Sequence, residues 1–232
     1  MEETAALILL GEVAGSHHDG SGSTPWLRSL ASELDEAYGP ERLAPFEVSE
    51  GGVLAGRLTW TADPLVAVLH GALGSGSPPL RWICVRSCPD TLDGAAGDAG
   101  LPGSAAAFEA LKVARVGHEQ LVLRTGRADI DRLLADMTPA LVGMLGDLTA
   151  RQRDVARMAL LEGLRQSEVA QRLGVRRATV SVSFARARIQ SLAALVSAIR
   201  RVFSSAGSAA VEVAPTAGSV AAATAVPIAP PN

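Results

Sequence analysis

The hydrophobic positions of this chain keep two different periods. From Ala5 to Gly15 "AALILLGEVAG" reads as an apolar strand that ends at a Gly-Glu turn, and "SHHDGSGS" after it reads as a loop. "TPWLRSLASELDEAYG" changes to a helical period, with Thr24 as cap, Pro25 at the first position and Trp26, Leu30 and Leu34 facing inward. "LAPFEVSEGGVLAGRLTW" alternates and bends at Gly51-Gly52, which predicts a hairpin. A helix at "DPLVAVLHGAL", a strand at "LRWICVRSC" and a Gly-rich loop over residues 93–103 come next. The helix "SAAAFEALKVARV", the strand "EQLVLRTG" and the helix "ADIDRLLADMTPALVGMLGD" complete the order βαββαβαβα. That order predicts an α+β fold, a ferredoxin-like or palm-like antiparallel or mixed sheet with helices on one face.

Beyond residue 147 only the helical period remains. Thr149, three residues before Gln152, predicts an N-cap for a helix carrying Val155, Met158 and Ala159 inward. "QSEVAQRL" predicts a short helix capped by Ser167, and "GV" turns the chain. A third helix is expected from about Arg176, continuing through "ARARIQSLAALVSAIRRVF" with Ile189, Leu192, Leu195, Val196 and Ile199 on one side. Two helices crossing through a tight turn need a small residue at the contact, a residue tolerant of positive φ in the turn and an apolar anchor on the second helix. Ala170, Gly174 and Val180 stand at those places, and Val169, Leu173, Val175 and Phe184 complete the expected helix-turn-helix core.

Charge divides the chain at the same point. Residues 1–148 carry ten basic and twenty acidic side chains, a net of −10, whereas residues 149–203 carry eleven basic and three acidic ones, a net of +8. All eleven of those cations are arginine. A third helix entering a major groove would present Arg176, Arg177, Thr179, Ser181 and Ser183 to bases. Arg151, Arg153, Arg165, Arg172, Arg186 and Arg188 would neutralise phosphates. A three-helix bundle with a solvated basic face, docked on the acidic part, is the plainer alternative. Residues 204–232 hold one charge, Glu212, with Pro215, Pro227, Pro230 and Pro231, and are expected to be a disordered tail. Three parts follow: an α+β domain over 1–147, a helix-turn-helix domain over 148–203 and the tail.

"LTARQRDVARMALLEGLRQSEVAQRLGVRRATVSVSFARAR" resembles region 4 of sigma-70-type factors and related regulator helix-turn-helices. The resemblance implies that Arg176, Arg177, Thr179 and Ser181 read DNA. No companion segment for a −10 element or for gripping RNA polymerase is legible upstream, which favours a repressor or activator over a sigma factor. In the first part, "LILLGEVAGS", "FEVSEGGVLAGRL" and "LRWICVRSC" resemble the SatD family, and the arrangement is similar to the palms of GGDEF proteins and class III nucleotidyl cyclases.

Palm enzymes hold two divalent cations with two carboxylates. Glu12 falls at the first carboxylate position, but Gly52, followed by Val53, falls at the second, and Glu50 is two residues away, about 6–7 Å along a strand. No enzyme activity, metal or cofactor is therefore expected, with Glu12 the single candidate ligand. His17, His18 and Asp19 read as a solvated loop, and Gly94, Gly97, Gly100 and Gly103 as a flexible one without phosphate-loop spacing. Cys84 and Cys88 read as small buried hydrophobes. No run of about 18 apolar residues escapes interruption by charge, Pro or Gly, and Glu2 and Glu3 oppose a secretory leader, so a cytoplasmic location and no membrane partner are expected.

The expected function is a DNA-binding transcriptional regulator. Double-stranded DNA is its partner, and the first domain pairs two copies, with half-sites about 34 Å apart, or binds a small-molecule or nucleotide effector. The apolar residues of the long third helix offer a dimer seam. The alternative functions are a nucleotide-binding or cyclase-like enzyme with a regulatory basic domain, and a protein-interaction module.

Overall fold

A computed structural model of the chain describes residues 5–15, 24–74, 76–87 and 103–211. His17, His18, Asp19, Cys88, Gly94, Gly97, Gly100 and the tail beyond residue 211 lie outside the described residues. The strands are β1 (Ala6–Val13), β2 (Arg42–Val48), β3 (Val53–Thr59), β4 (Leu80–Ser87) and β5 (Leu121–Arg124). The helices are α1 (Thr24–Tyr38), α2 (Pro64–Leu73), α3 (Ala105–Gly117), α4 (Ala128–Gly146), α5 (Ala150–Leu160), α6 (Gln166–Arg172), α7 (Arg177–Arg186) and α8 (Ile189–Val211).

The sheet order is β2-β3-β1-β4-β5. The first four strands pair antiparallel, the order of a ferredoxin-like βαββαβ unit, and α3 crosses over to add β5 parallel to β4. β1 lies at the centre, which is why its first five residues, ALILL, are apolar without interruption: both of its faces are covered. Leu7 and Leu9 join α1 and α2 through Leu27, Leu30, Leu34, Leu65 and Leu69. Ala6, Ile8 and Leu10 point the other way and meet Ala107, Ala110, Leu111 and Ala114 of α3. Helices on one face therefore describe α1 and α2, while α3 closes the second face. Cys84 is a buried, free thiol in β4, packed with the first face.

The hairpin turns at Gly52, whose φ of +72° requires a glycine. Asp63 caps α2 by accepting from the Leu65 amide at 2.9 Å, with Pro64 at the first helical position. The Tyr38 hydroxyl, at the end of α1, donates to the Asp63 carbonyl at 2.8 Å and ties the two helices together.

The expected single helix from Arg176 onward is two helices, α7 and α8, bent by 55° at a break where Arg188 takes φ +50°. Ala187 and Ile189 are both buried, and two residues apart on a continuous helix they would project about 200° from each other. Breaking the helix lets both reach the core. At its far end α8 runs on to Val211, so residues 204–211, expected as part of the tail, are helical. Phe203 and Ala206 are buried and anchor that extension. Among the described residues no single helix is long and apolar enough to cross a membrane, although α7 and the first part of α8 pass such a test as a bent pair.

Candidate nucleic-acid interface

α5, α6 and α7 form the basic unit, and local sequence sets each boundary. Thr149 Oγ1 accepts from the Gln152 amide at 3.4 Å while Gln152 Oε1 accepts from the Thr149 amide at 2.9 Å, the reciprocal cap that the spacing predicts. The cap of α6 is Arg165, two residues before the expected Ser167. Ser167 lies inside the helix, and the start is held by Glu168, whose carboxylate accepts from the Arg165 amide at 2.6 Å. Between α6 and α7 Gly174 takes φ +65°, and the Val175 amide donates to Ala170 at 3.0 Å. That geometry ends α6 and reverses the chain within four residues.

The crossing is sealed by a small core of its own. Val155, Val169, Ala170 and Val180 are buried there, with Leu173, Val175 and Phe184 half-buried against them. All seven expected core positions thus occupy the crossing, with Gly174 in its turn, and Val155 of α5 joins them.

Opposite this core the predicted contact residues come to the surface. Arg176 precedes the first turn of α7 and Arg177 opens it; both are exposed, as are Thr179 and Ser181. Ser183 is half-buried and donates its hydroxyl to the Thr179 carbonyl at 3.1 Å, so it is turned back on its own helix. Arg165, Arg186 and Arg188 are exposed, and among the described residues no ion pair involves them or the two leading arginines. Arg172 is also exposed but pairs with Glu162 at 2.8 Å, which removes part of its charge from any phosphate. A groove between the start of α5 and α7 has Arg151 and Gln152 on one side and Thr179, Val182, Ser183 and Arg186 on the other. Val182 was not among the expected contacts. Its signal lies in the sequence, since it stands between Thr179 and Arg186 at helical spacing.

The basic unit is fixed to the sheet rather than tethered to it. Leu192, Val196, Ile199 and Phe203 of α8 and Leu141, Leu145 and Leu148 at the end of α4 share one core with Leu9, Leu65 and Trp82. The dimer seam expected on these apolar residues is therefore an intramolecular one: the residues are buried in their own core, with α8 packed on α4. Arg200 Nε bonds to Asp63 Oδ2 at 2.5 Å, and Arg157 of α5 approaches Glu33 at 3.9 Å. Arg86 lies 5.1 Å from the Trp60 ring centre and 4.2 Å from that of Phe203, and its Nη1 donates to the Phe203 carbonyl at 2.9 Å. Burial pushes the Arg86 pKa down to about 10, still well above neutrality. A cleft at this joint is lined by Glu33, Glu36, Val66, His70, Arg157 and Arg200.

Glu12 lies near the end of β1, opposite Val53 and Arg81, and the strand runs through the expected Gly-Glu turn to Val13. Its carboxylate is taken by two guanidinium groups. Arg81 Nη1 donates to it at 2.5 Å, and Arg115 donates through Nε, at 3.1 and 3.0 Å, and through Nη2. Burial works to raise the Glu12 carboxyl, but the Arg115 and Arg81 bonds and charges outweigh it and hold it below the usual carboxylate range. A cation there would have to displace two arginines, so Glu12 serves as the centre of an ion-pair triad in which Glu12 and Arg81 are buried and Arg115 is exposed. No group of three or more His, Cys, Asp or Glu able to hold a metal occurs among the described residues.

Searches of curated proteins and of solved structures found no match. A family model does match, and its segment begins inside α4 at Pro139 and ends at Gln190, just past the α7–α8 break. The match leaves the SatD resemblance of the preceding sheet without support. Over residues 139–190 the chain is similar to sigma-70, region 4, which supports reading its helix-turn-helix as a DNA-binding unit of transcription.

Proposed function

We propose that this protein is a transcriptional regulator whose α7 enters the major groove of double-stranded DNA. The observation that carries the reading is the surface of α7: Arg176 and Arg177 are exposed and free of ion pairs among the described residues, at the start of the second helix of a sealed helix-turn-helix. Arginine takes guanine O6 and N7 bidentately, and Thr179 and Ser181 reach bases or phosphates. Arg151, Arg165, Arg186 and Arg188 flank this centre for phosphate contacts. The −10 charge of residues 1–148 opposes DNA and confines binding to this face.

The sheet domain takes the regulatory part in this reading, holding a small effector or pairing two copies. For an effector the joint cleft between α1, α2, α5 and α8 offers contact with both units at once. For pairing, α8 offers no seam, and the exposed apolar surface at Val113 and Val116 on the outer side of α3 takes its place.

The test is selection of DNA from a random library by the full-length protein, followed by affinity measurement on the enriched site. Each of Arg176→Ala and Arg177→Ala is expected to weaken the selected site by about 1–3 kcal/mol and to relax one base position. Equal loss on selected and random DNA would mean that these arginines contact backbone only.

A further inference from the structure

Val180, Phe184 and Ala187 point α7 toward the core. At about 100° per residue, Ala178, Val182 and Ala185 then occupy the opposite side, one turn apart in succession. All three are exposed, and Val182 keeps 51% of its surface open to solvent. The centre of the outward face is thus apolar, with Thr179 and Arg186 along one flank and Ser181 along the other. Valine is a poor choice for an exposed helix position by propensity, so neither the core nor the helix accounts for it.

The major groove displays one apolar group, the C5-methyl of thymine. We propose that Val182 packs on a thymine C5-methyl and selects a T·A pair at the middle of the site, with Ala178 and Ala185 small enough to let the helix approach the base edges. This inference rests on the reading that α7 enters a major groove. The groove beside Val182 supports the placement. Arg151 of α5 and Arg186 of α7 stand on its two sides, positioned for a sugar-phosphate strand, and Val182 lies on the α7 wall, toward the base edges.

The experiment replaces each thymine of the selected site, one at a time, with deoxyuridine, which lacks only the methyl group. Wild-type protein is expected to lose about fourfold in affinity at one position and nothing at the others. Val182→Ala should bind the unmodified site about fourfold more weakly and no longer distinguish uracil from thymine at that position. Because the side chain is exposed and alanine is the better helix former, this variant should melt at or slightly above the wild-type temperature. An enriched site in which wild type binds every uracil like thymine, or a Val182→Ala protein that keeps the discrimination, would overturn this inference alone. Failure to enrich any sequence would overturn the DNA-binding reading and this inference with it.

Discussion

At the scale of single residues, the arginines of α7 were legible because a helix-turn-helix fixes which positions after the turn face outward. The role of Glu12 was not. Its place at a strand end suggested a metal ligand, but its partners Arg81 and Arg115 lie 69 and 103 residues along the chain, and no local pattern links them. The triad makes a specific prediction. Glu12→Gln leaves the buried Arg81 without its counter-charge and should cost about 3 kcal/mol in urea denaturation at neutral pH. The folded-state pKa of Glu12 is depressed, so its contribution is fully present above the unfolded-state value and is lost as pH falls through the lower folded value. The stability gap between wild type and Glu12→Gln should therefore narrow in acid. A gap that widened as pH fell would contradict the assignment.

At the scale of elements, boundaries with local causes were readable and those with distant causes were not. The Thr149–Gln152 cap formed as the spacing predicts, since both partners lie within one turn. The start of α6 moved from Ser167 to Arg165 because Glu168 reaches back to the Arg165 amide. The α7–α8 break was hidden: the segment has helical period throughout, and only the shared demand of Ala187 and Ile189 for the core interrupts it. The turn at Gly174 offers a test at this scale. No atom lies within 4 Å of an added Cβ there, so Gly174→Ala should fold and lose only the cost of a left-handed residue, about 1 kcal/mol, read as a lower melting temperature. Loss of the fold in this variant would mean that the turn has some further contact.

At the scale of the whole molecule, the opposite charges of the two parts were visible in the sequence, and the apolar residues that join them were visible too. Which surface those residues would cover was not. They fasten the basic unit to the first part of the chain, with the matched segment beginning inside α4 and α8 returning to Asp63 through Arg200 and to Arg86 through Phe203. A chain built this way should unfold in one cooperative transition. Phe203→Ala, which empties a buried site and removes one ring from Arg86, should cost about 3–5 kcal/mol and lower that single transition. Two separated transitions in calorimetry would show that the shared core does not couple the parts.

The central claim, that the arginine face of α5–α7 binds DNA, is tested most directly by titrating affinity for the selected site against salt, for wild type and for Arg186→Ala. With the phosphate-facing arginines engaged, log affinity should fall linearly with log salt at a slope of about −4, and Arg186→Ala should reduce that slope by about one. Affinity that is indifferent to salt, or a slope unchanged in Arg186→Ala together with unchanged affinity, would contradict the account.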